Sequence, residues 1–335
     1  FTKLNVSFEL NGTTFCCAWS PDSKYLVIGH SLSPFVSIYS VSGDVFTKLN
    51  LPITATVRVL SCKYSPDGQL LTLLFDGTPY LSVYKQEGDT FTKLSTLDIT
   101  PTNIHTCCAW SPDGNYLITA GSTVPYAIIY KRSGDTLTKQ TTFTPGTLIN
   151  DCMFSSDGNY LLFANDGSPY FVIYKWLGGA FQKLGPPTPA TPGSGYGCAI
   201  SHNNVYFVIA HATTPFVSIY KHLFSPLVAM PSQPTSPSGV LCDCAWSPDD
   251  KYLAVVGLSS PYLHIYSCSN DSFVKLSDPE SLPVDDGNGC AFSPDGNYLA
   301  VANKGTPYMT IYSHSNGVLT KLADPSTSPT GIAYG

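Results

Sequence analysis

The sequence predicts an all-β protein, a seven-bladed β-propeller with four antiparallel strands in each blade. Three observations predict it. One tripeptide, intact or decayed, recurs as Ser20-Pro21-Asp22, Ser65-Pro66-Asp67, Ser111-Pro112-Asp113, Ser155-Ser156-Asp157, Ser201-His202-Asn203, Ser247-Pro248-Asp249 and Ser293-Pro294-Asp295. Successive copies lie 45, 46, 44, 46, 46 and 46 residues apart, so the period spans the chain. Each period holds four short apolar runs divided by turn residues, and four strands per ~45 residues is the pattern of a propeller blade. A helical solenoid of this period would carry little proline, whereas this chain has 27 Pro and 27 Gly.

The elements of one repeat follow in order. A first strand such as CCAW (16–19) precedes the Ser-Pro-Asp turn. There Pro presets φ, Asp bonds its local backbone, and a following Gly accepts the tight conformation. A second strand such as YLVIG or YLITA comes next. A turn ending in Pro plus an aromatic leads to a third strand that closes on Ile-Tyr or Val-Tyr. A Gly-Asp turn (Gly43-Asp44, Gly88-Asp89, Gly134-Asp135) then enters the fourth strand, FTKL or a relic of it.

Residues 1–335 therefore read as a single propeller domain of seven repeats. Material is left at both ends: an extra fourth-type strand, Phe1, Thr2, Lys3 and Leu4, and an extra first-type strand near 331–334 containing Ile332, Ala333 and Tyr334. Either terminal strand is a candidate to close the ring. The spare one would then pair with a neighbouring copy by strand addition, in a head-to-tail fibre. Truncation from a longer chain is the plainer rival.

Composition excludes several classes. Lys, Arg, Asp and Glu make up 12% of the chain, half the usual share of about 25%. A net charge of −6 with 17 basic residues argues against a nucleic-acid groove, which needs clustered cations. No apolar run reaches the ~20 residues of a membrane span.

The segment CAWSPDGNYLITAG resembles the core of WD40-like propeller repeats, especially those written around an Ser-Pro-Asp-Gly turn. The resemblance covers nearly the whole chain and implies the propeller fold. It departs from that family in ending the third strand on Ile-Tyr rather than Trp-Asp, so the side-chain network of that motif does not carry over. YKRSGDTLTK (130–139), with its FTKL relatives, more loosely resembles repeats in propeller-like bacteriophage particle proteins.

Eleven cysteines are present. Counting back three from each turn serine gives Cys17, Cys62, Cys108, Cys152, Cys198, Cys244 and Cys290. Equivalent positions of adjacent blades should exceed the ~7 Å Cα limit of a disulfide, so these read as small hydrophobes between blades. Each shares a strand face with an aromatic two residues on, Ile200 being the exception. A thiol ring binding soft metal in the channel is the sharper alternative, without the paired spacing of a zinc site. No metal, cofactor or catalytic residue is assigned. So many unpaired thiols suit synthesis in a reducing cytoplasm.

Contact surfaces are sought on the rims. The turn aspartates read as caps of their own turns. On the opposite rim each turn ends in Pro-aromatic, which places Phe35, Tyr80, Tyr126, Tyr170, Phe216, Tyr262 and Tyr308 as candidate contacts for protein or glycan. The bland alternative is that each ring covers its blade edge. Asn5, Asn11 and Asn270 match the N-glycosylation pattern. These features lead to a non-enzymatic structural or adhesive module of an extracellular or phage-particle assembly, with other subunits, copies of itself or glycans as partners. Two alternatives stand beside it: a propeller enzyme, hydrolase or lyase on sugars or lactones, with acidic and His side chains converging on the channel, and a soluble protein-interaction hub.

Overall fold

The computed structural model describes residues 14–43, 45–49, 53, 55–95, 101–143, 147–177, 180–222, 228–230, 237–305 and 308–322. Among them every regular element is a β-strand, and the strands form seven sheets of four. Blade 1 runs through Thr14–Trp19, Tyr25–His30, Val36–Ser42 and Val45–Lys48, each antiparallel to the next. The pattern repeats at 59–93, 105–143, 149–183, 195–229, 241–275 and 287–321 as blades 2 to 7. The predicted seven-bladed propeller is the fold observed. Among the described residues no helix is long and apolar enough to cross a membrane.

The Ser-Pro-Asp turn sets the first hairpin of each blade. Ser20 Oγ donates to Asp22 Oδ1 at 2.6 Å, and the same carboxylate accepts from Lys24 N at 3.1 Å. Ser20 Oγ in turn accepts from Tyr25 N at 2.9 Å. The arrangement recurs at Asp67, Asp113, Asp157, Asp249 and Asp295, with Asn203 standing in within blade 5. The residue after the Asp takes a positive φ, served by Gly in four blades and by Ser23, Asn204 and Asp250 in the others, at 58°, 59° and 57°. These six aspartates do cap their own turns. Asp89 and Asp135 instead reach the preceding blade, accepting from Tyr25 Oη at 2.7 Å and Lys85 Nζ at 2.9 Å. Asp44 lies outside the described residues.

Each innermost strand carries a bulge at the same place. In blade 1 the register shifts between Thr14 and Cys16, and the shift recurs in the other six blades. A bulge re-aims the extra side chain out of the pleat. Strict period-two alternation therefore fails at Phe15, Leu60, Thr106, Asn150, Tyr196, Cys242 and Asn288.

The core lies between blades. Cys62 and Tyr64 pack against Cys16, Ala18, Val27 and Ile38 of the preceding blade. Cys152 with Phe154 meets Cys107, Ala109 and Ile118, and Cys244 with Trp246 meets Ala199, Val208 and Val217 in the same way. The repeat cysteine is thus a small hydrophobe facing backwards, beside the aromatic as expected, and all eleven cysteines are free thiols. The third-strand tyrosines Tyr39, Tyr130, Tyr220, Tyr266 and Tyr312, at the strand end where the related repeats carry Trp-Asp, are each fully buried.

Among the described residues, blades 1 and 7 meet at the seam by side-chain packing. Trp19, Leu26 and Phe46 of blade 1 meet Met309 and Ile311 of blade 7, and Trp19 stacks on Tyr298 at 6.0 Å. Thr14 Oγ1 donates to Tyr308 O at 3.2 Å across the seam. Blade 7 already owns its fourth strand, Val318–Lys321. The terminal candidates Phe1–Leu4 and Ile332–Tyr334 lie outside the described residues.

Candidate functional site

The seven innermost strands surround a central channel with a cavity of about 270 Å³. Its lining is mostly small and neutral, because the positions flanking each repeat cysteine are Ala, Gly, Ser or Cys in most blades. Four residues break that rule, Met153 of blade 4 and three charged ones. Blade 2 supplies Lys63, blade 4 Asp151 and blade 6 Asp243, all lining the cavity. Lys63 is solvent-exposed within it, while the two aspartates are half-buried.

Each aspartate is fixed by two backbone donors. Asp151 accepts from Cys152 N at 2.8 Å and, across the blade boundary, from Cys198 N at 2.9 Å. Asp243 repeats this with Cys244 N at 2.8 Å and Cys290 N at 2.9 Å. Every carboxylate oxygen can accept about two hydrogen bonds, so one backbone donor per oxygen leaves capacity facing the channel.

Electrostatics couple the three groups. Burial, then the charge of Asp151, pushes Asp243 up to about 7 against the pull of Lys63 and its backbone donors. Burial likewise raises Asp151, with Lys63 opposing. Although the Lys63 side chain reaches channel solvent, confinement by the channel walls works against its ammonium, and the charges of Asp151 above all and of Asp243 hold it raised. Asp243 thus feels the charge of Asp151, and both carboxylates feel Lys63. Channel thiols are the rival nucleophiles, yet burial pushes Cys17, Cys108 and Cys242 up to about 12. They are not thiolates near neutral pH. Among the described residues no group of three or more His, Cys, Asp or Glu is placed to hold a metal ion.

The bulges complete the lining with Leu60, Thr106, Asn150, Tyr196, Cys242 and Asn288. Asn288 is 6% exposed, and its Nδ2 has no hydrogen-bond partner. His30, His105, His211 and His264 lie elsewhere, buried within blades.

The sequence-predicted contacts sit apart from this channel. Phe35, Tyr80, Tyr126, Tyr170, Phe216, Tyr262 and Tyr308 are half-buried at the turns between second and third strands. All but Tyr126 take a left-handed φ, between 55° and 67°. Each backbone carbonyl caps the end of the second strand, as in Phe75 N to Tyr80 O at 2.9 Å. Phe35, Phe216 and Tyr126 pack their rings on inter-blade cores. Asn270 is exposed in the hairpin turn of blade 6 with φ 49°. Asn5 and Asn11 lie outside the described residues. The channel triad was missed by sequence reasoning, although its signal is present: Lys63, Asp151 and Asp243 are the charged departures at positions where other repeats keep small or apolar residues.

Comparisons with known proteins agree with a WD40-like propeller. The family model described as eukaryotic translation initiation factor eIF2A matches residues 2–143. No curated protein matches the chain. Hydrazine synthase of Kuenenia stuttgartiensis superposes with a TM-score of 0.69 at 16% identity, covering 92% of this chain and 97% of that one. The periplasmic gluconolactonase of Pseudomonas aeruginosa gives 0.67 at 16% identity, over 91% and 97%. A chain of a mitotic checkpoint complex gives 0.68 at 16%, over 90% of each. At such identity the likeness is one of fold.

These findings overturn the expected non-enzymatic structural or adhesive module of an extracellular or phage-particle assembly. The three structures compared above are two propellers named as enzymes and one from a checkpoint complex, and none of the three supports the phage likeness, self-association or glycan binding. The physical reason is that low charge and repeated blades are demands of inter-blade packing, and so say nothing about adhesion. The chemically distinctive residues stand in the channel.

Proposed function

We propose that the chain is a propeller enzyme whose active site is the channel, hydrolysing small sugar-derived lactones or esters. One observation carries the reading: Lys63, Asp151 and Asp243, from three blades, converge on a solvent-accessible cavity where Asp243 is pushed up to about 7. A base poised near neutral pH suits removal of a proton from water. In that step Asp243 takes the proton, the hydroxide forms a bond to the lactone carbonyl carbon, and the carbonyl oxygen becomes an oxyanion. The Lys63 ammonium stabilises that charge. Collapse expels the ring alkoxide, which receives the proton from Asp243 and leaves a hydroxy acid. A neighbour of the same fold named as a gluconolactonase supports the substrate class.

The test is the rate of gluconolactone hydrolysis above the spontaneous rate. Asp243→Asn is expected to lower turnover by about 100-fold or more, with an unchanged unfolding midpoint. A wild-type protein that adds nothing to the spontaneous rate, or a fully active Asp243→Asn, would sink the proposal.

A second reading, a rim that binds protein partners, is favoured by Leu32, Val124 and Leu258, exposed by 52%, 65% and 39% in the turns that carry the Pro-aromatic pairs. The match to a translation-factor family and the checkpoint-complex likeness point the same way. Replacing all three by Asp should abolish co-purification of any partner without altering channel hydrolysis.

A further inference from the structure

The blade-to-blade register sets the residue before each repeat cysteine against the repeat cysteine of the next blade. Three boundaries show it directly. Ser61 Oγ lies 3.6 Å from Cys108 Sγ, Asp151 Oδ2 accepts from Cys198 N at 2.9 Å, and Asp243 Oδ2 accepts from Cys290 N at 2.9 Å. The residue in that forward-facing position is Cys16 in blade 1 and Cys107 in blade 3. Each therefore meets a second thiol. Cys16 and Cys62 occupy one core cluster, and Cys107 and Cys152 another. Within each pair the neighbouring thiol is the first cause that raises the proton affinity of Cys62 and of Cys152.

From this register we infer that Cys16–Cys62 and Cys107–Cys152 are two inter-blade dithiol sites that a small hydroperoxide converts to disulfides, stapling blade 1 to blade 2 and blade 3 to blade 4. All four thiols line the channel cavity, which gives a molecule the size of hydrogen peroxide a route to sulfurs otherwise buried. The chemistry balances in two steps. One thiolate attacks the peroxide, breaking the O–O bond to give a sulfenic acid and water. The partner thiol then attacks that sulfur, forming the S–S bond and releasing a second water. Two sulfurs are oxidised, one peroxide is reduced, and no other co-reactant is needed. The partner thiol first, and burial second, keep Cys62 and Cys152 protonated at neutral pH, so the links should form slowly at pH 7 and faster at pH 9. This inference does not rest on the hydrolase reading, because the forward-facing position is read from blade packing alone.

The experiment oxidises the folded protein with hydrogen peroxide, blocks remaining thiols in denaturant, and maps cross-linked peptides by mass spectrometry. Two links are expected, Cys16–Cys62 and Cys107–Cys152, both reversed by dithiothreitol. Cys198, Cys244 and Cys290, which face Asp151, Gly197 and Asp243, should remain free. Cys16→Ser should remove only the first link and Cys107→Ser only the second. Ser61→Cys supplies a positive test of the register, since it should add a third link, from position 61 to Cys108. Full alkylation of all four thiols after oxidation, or links between other cysteines, would overturn the proposal. So would a folded Ser61→Cys protein in which no third link forms.

Discussion

Asp243, Lys63 and Gly197 show how single residues define the channel. Lys63 lowers the proton affinity of Asp243, so Lys63→Met should move the acid limb of the pH–rate profile upwards from about 7 as well as lower turnover. The sign follows from the roles: activity needs the deprotonated carboxylate, and loss of a nearby cation favours the protonated one. An acid limb that stays in place in an active Lys63→Met protein would separate the lysine from the base. Gly197 allows the approach of blade 6. A Cβ there would stand 2.6 Å from Asp243 Cα and 2.8 Å from Cys242 O, both backbone atoms that cannot swing aside. Gly197→Ala should therefore destabilise by about 1–3 kcal/mol, measured by denaturant unfolding. Readable in the sequence was the repeat itself. Lys63, Asp151 and Asp243 were visible as letters but could be singled out only against the repeat consensus at the positions beside each cysteine.

At the level of the element, the turn is where sequence and structure agree most closely, even in the worn copies. Blades 4 and 5 have Ser156 and His202 where other repeats have Pro, which frees a backbone N–H. The next blade answers it. Ser156 N donates to Asn204 Oδ1 at 2.9 Å, while His202 N and Asn203 N donate to Asp250 at 2.6 Å and 2.8 Å. Asn204 and Asp250 occupy the position that is Gly in four blades and Ser23 in blade 1, and they tolerate its positive φ. At these two boundaries, loss of Pro in one repeat is tied to an Asn or Asp acceptor in the next. A double-mutant cycle tests the link. Asp250→Gly should cost about 1–2 kcal/mol alone, and less in a His202→Pro background, where the His202 N and Nδ1 partners no longer exist and only Asn203 N still donates. Additive effects in urea unfolding would show the contacts to be incidental. The strands and hairpins were legible from turn residues and alternation. The inner-strand bulges were not, because a bulge leaves no residue-type mark at Phe15, Leu60 or Thr106 and yet reverses which side chains reach the channel.

For the whole molecule, stability depends on groups distributed around the ring, and its pH response follows from their summed shifts. Burial lowers His105, His211 and His264 to about 4, against about 6.5 in an unfolded chain. A depressed value means that the unfolded chain binds more protons between those limits. Their contribution is therefore complete above about pH 6.5 and is lost as the pH falls towards and through 4. A gap of this size is worth on the order of 3 kcal/mol per histidine. The six turn aspartates continue the trend at lower pH. Their partial burial raises them, but the Ser hydroxyl and backbone donors more than offset it, leaving each below its ordinary value. Their support is present above about pH 4 and disappears as the pH falls through the depressed values. Asp243 acts in the opposite sense, since a raised carboxylate favours folding at low pH and opposes it as the pH rises through about 7. Asp151, also raised by burial, acts with Asp243, but two carboxylates set against three buried histidines do not reverse the slope between pH 6.5 and 4. The unfolding midpoint in urea should accordingly fall steadily from pH 6.5 to pH 4. In a His105→Gln, His211→Gln, His264→Gln protein that still folds, that fall should flatten while the steeper loss below pH 4 persists. A midpoint independent of pH between 6.5 and 4 in the wild-type chain would contradict the buried, neutral histidines on which this account depends.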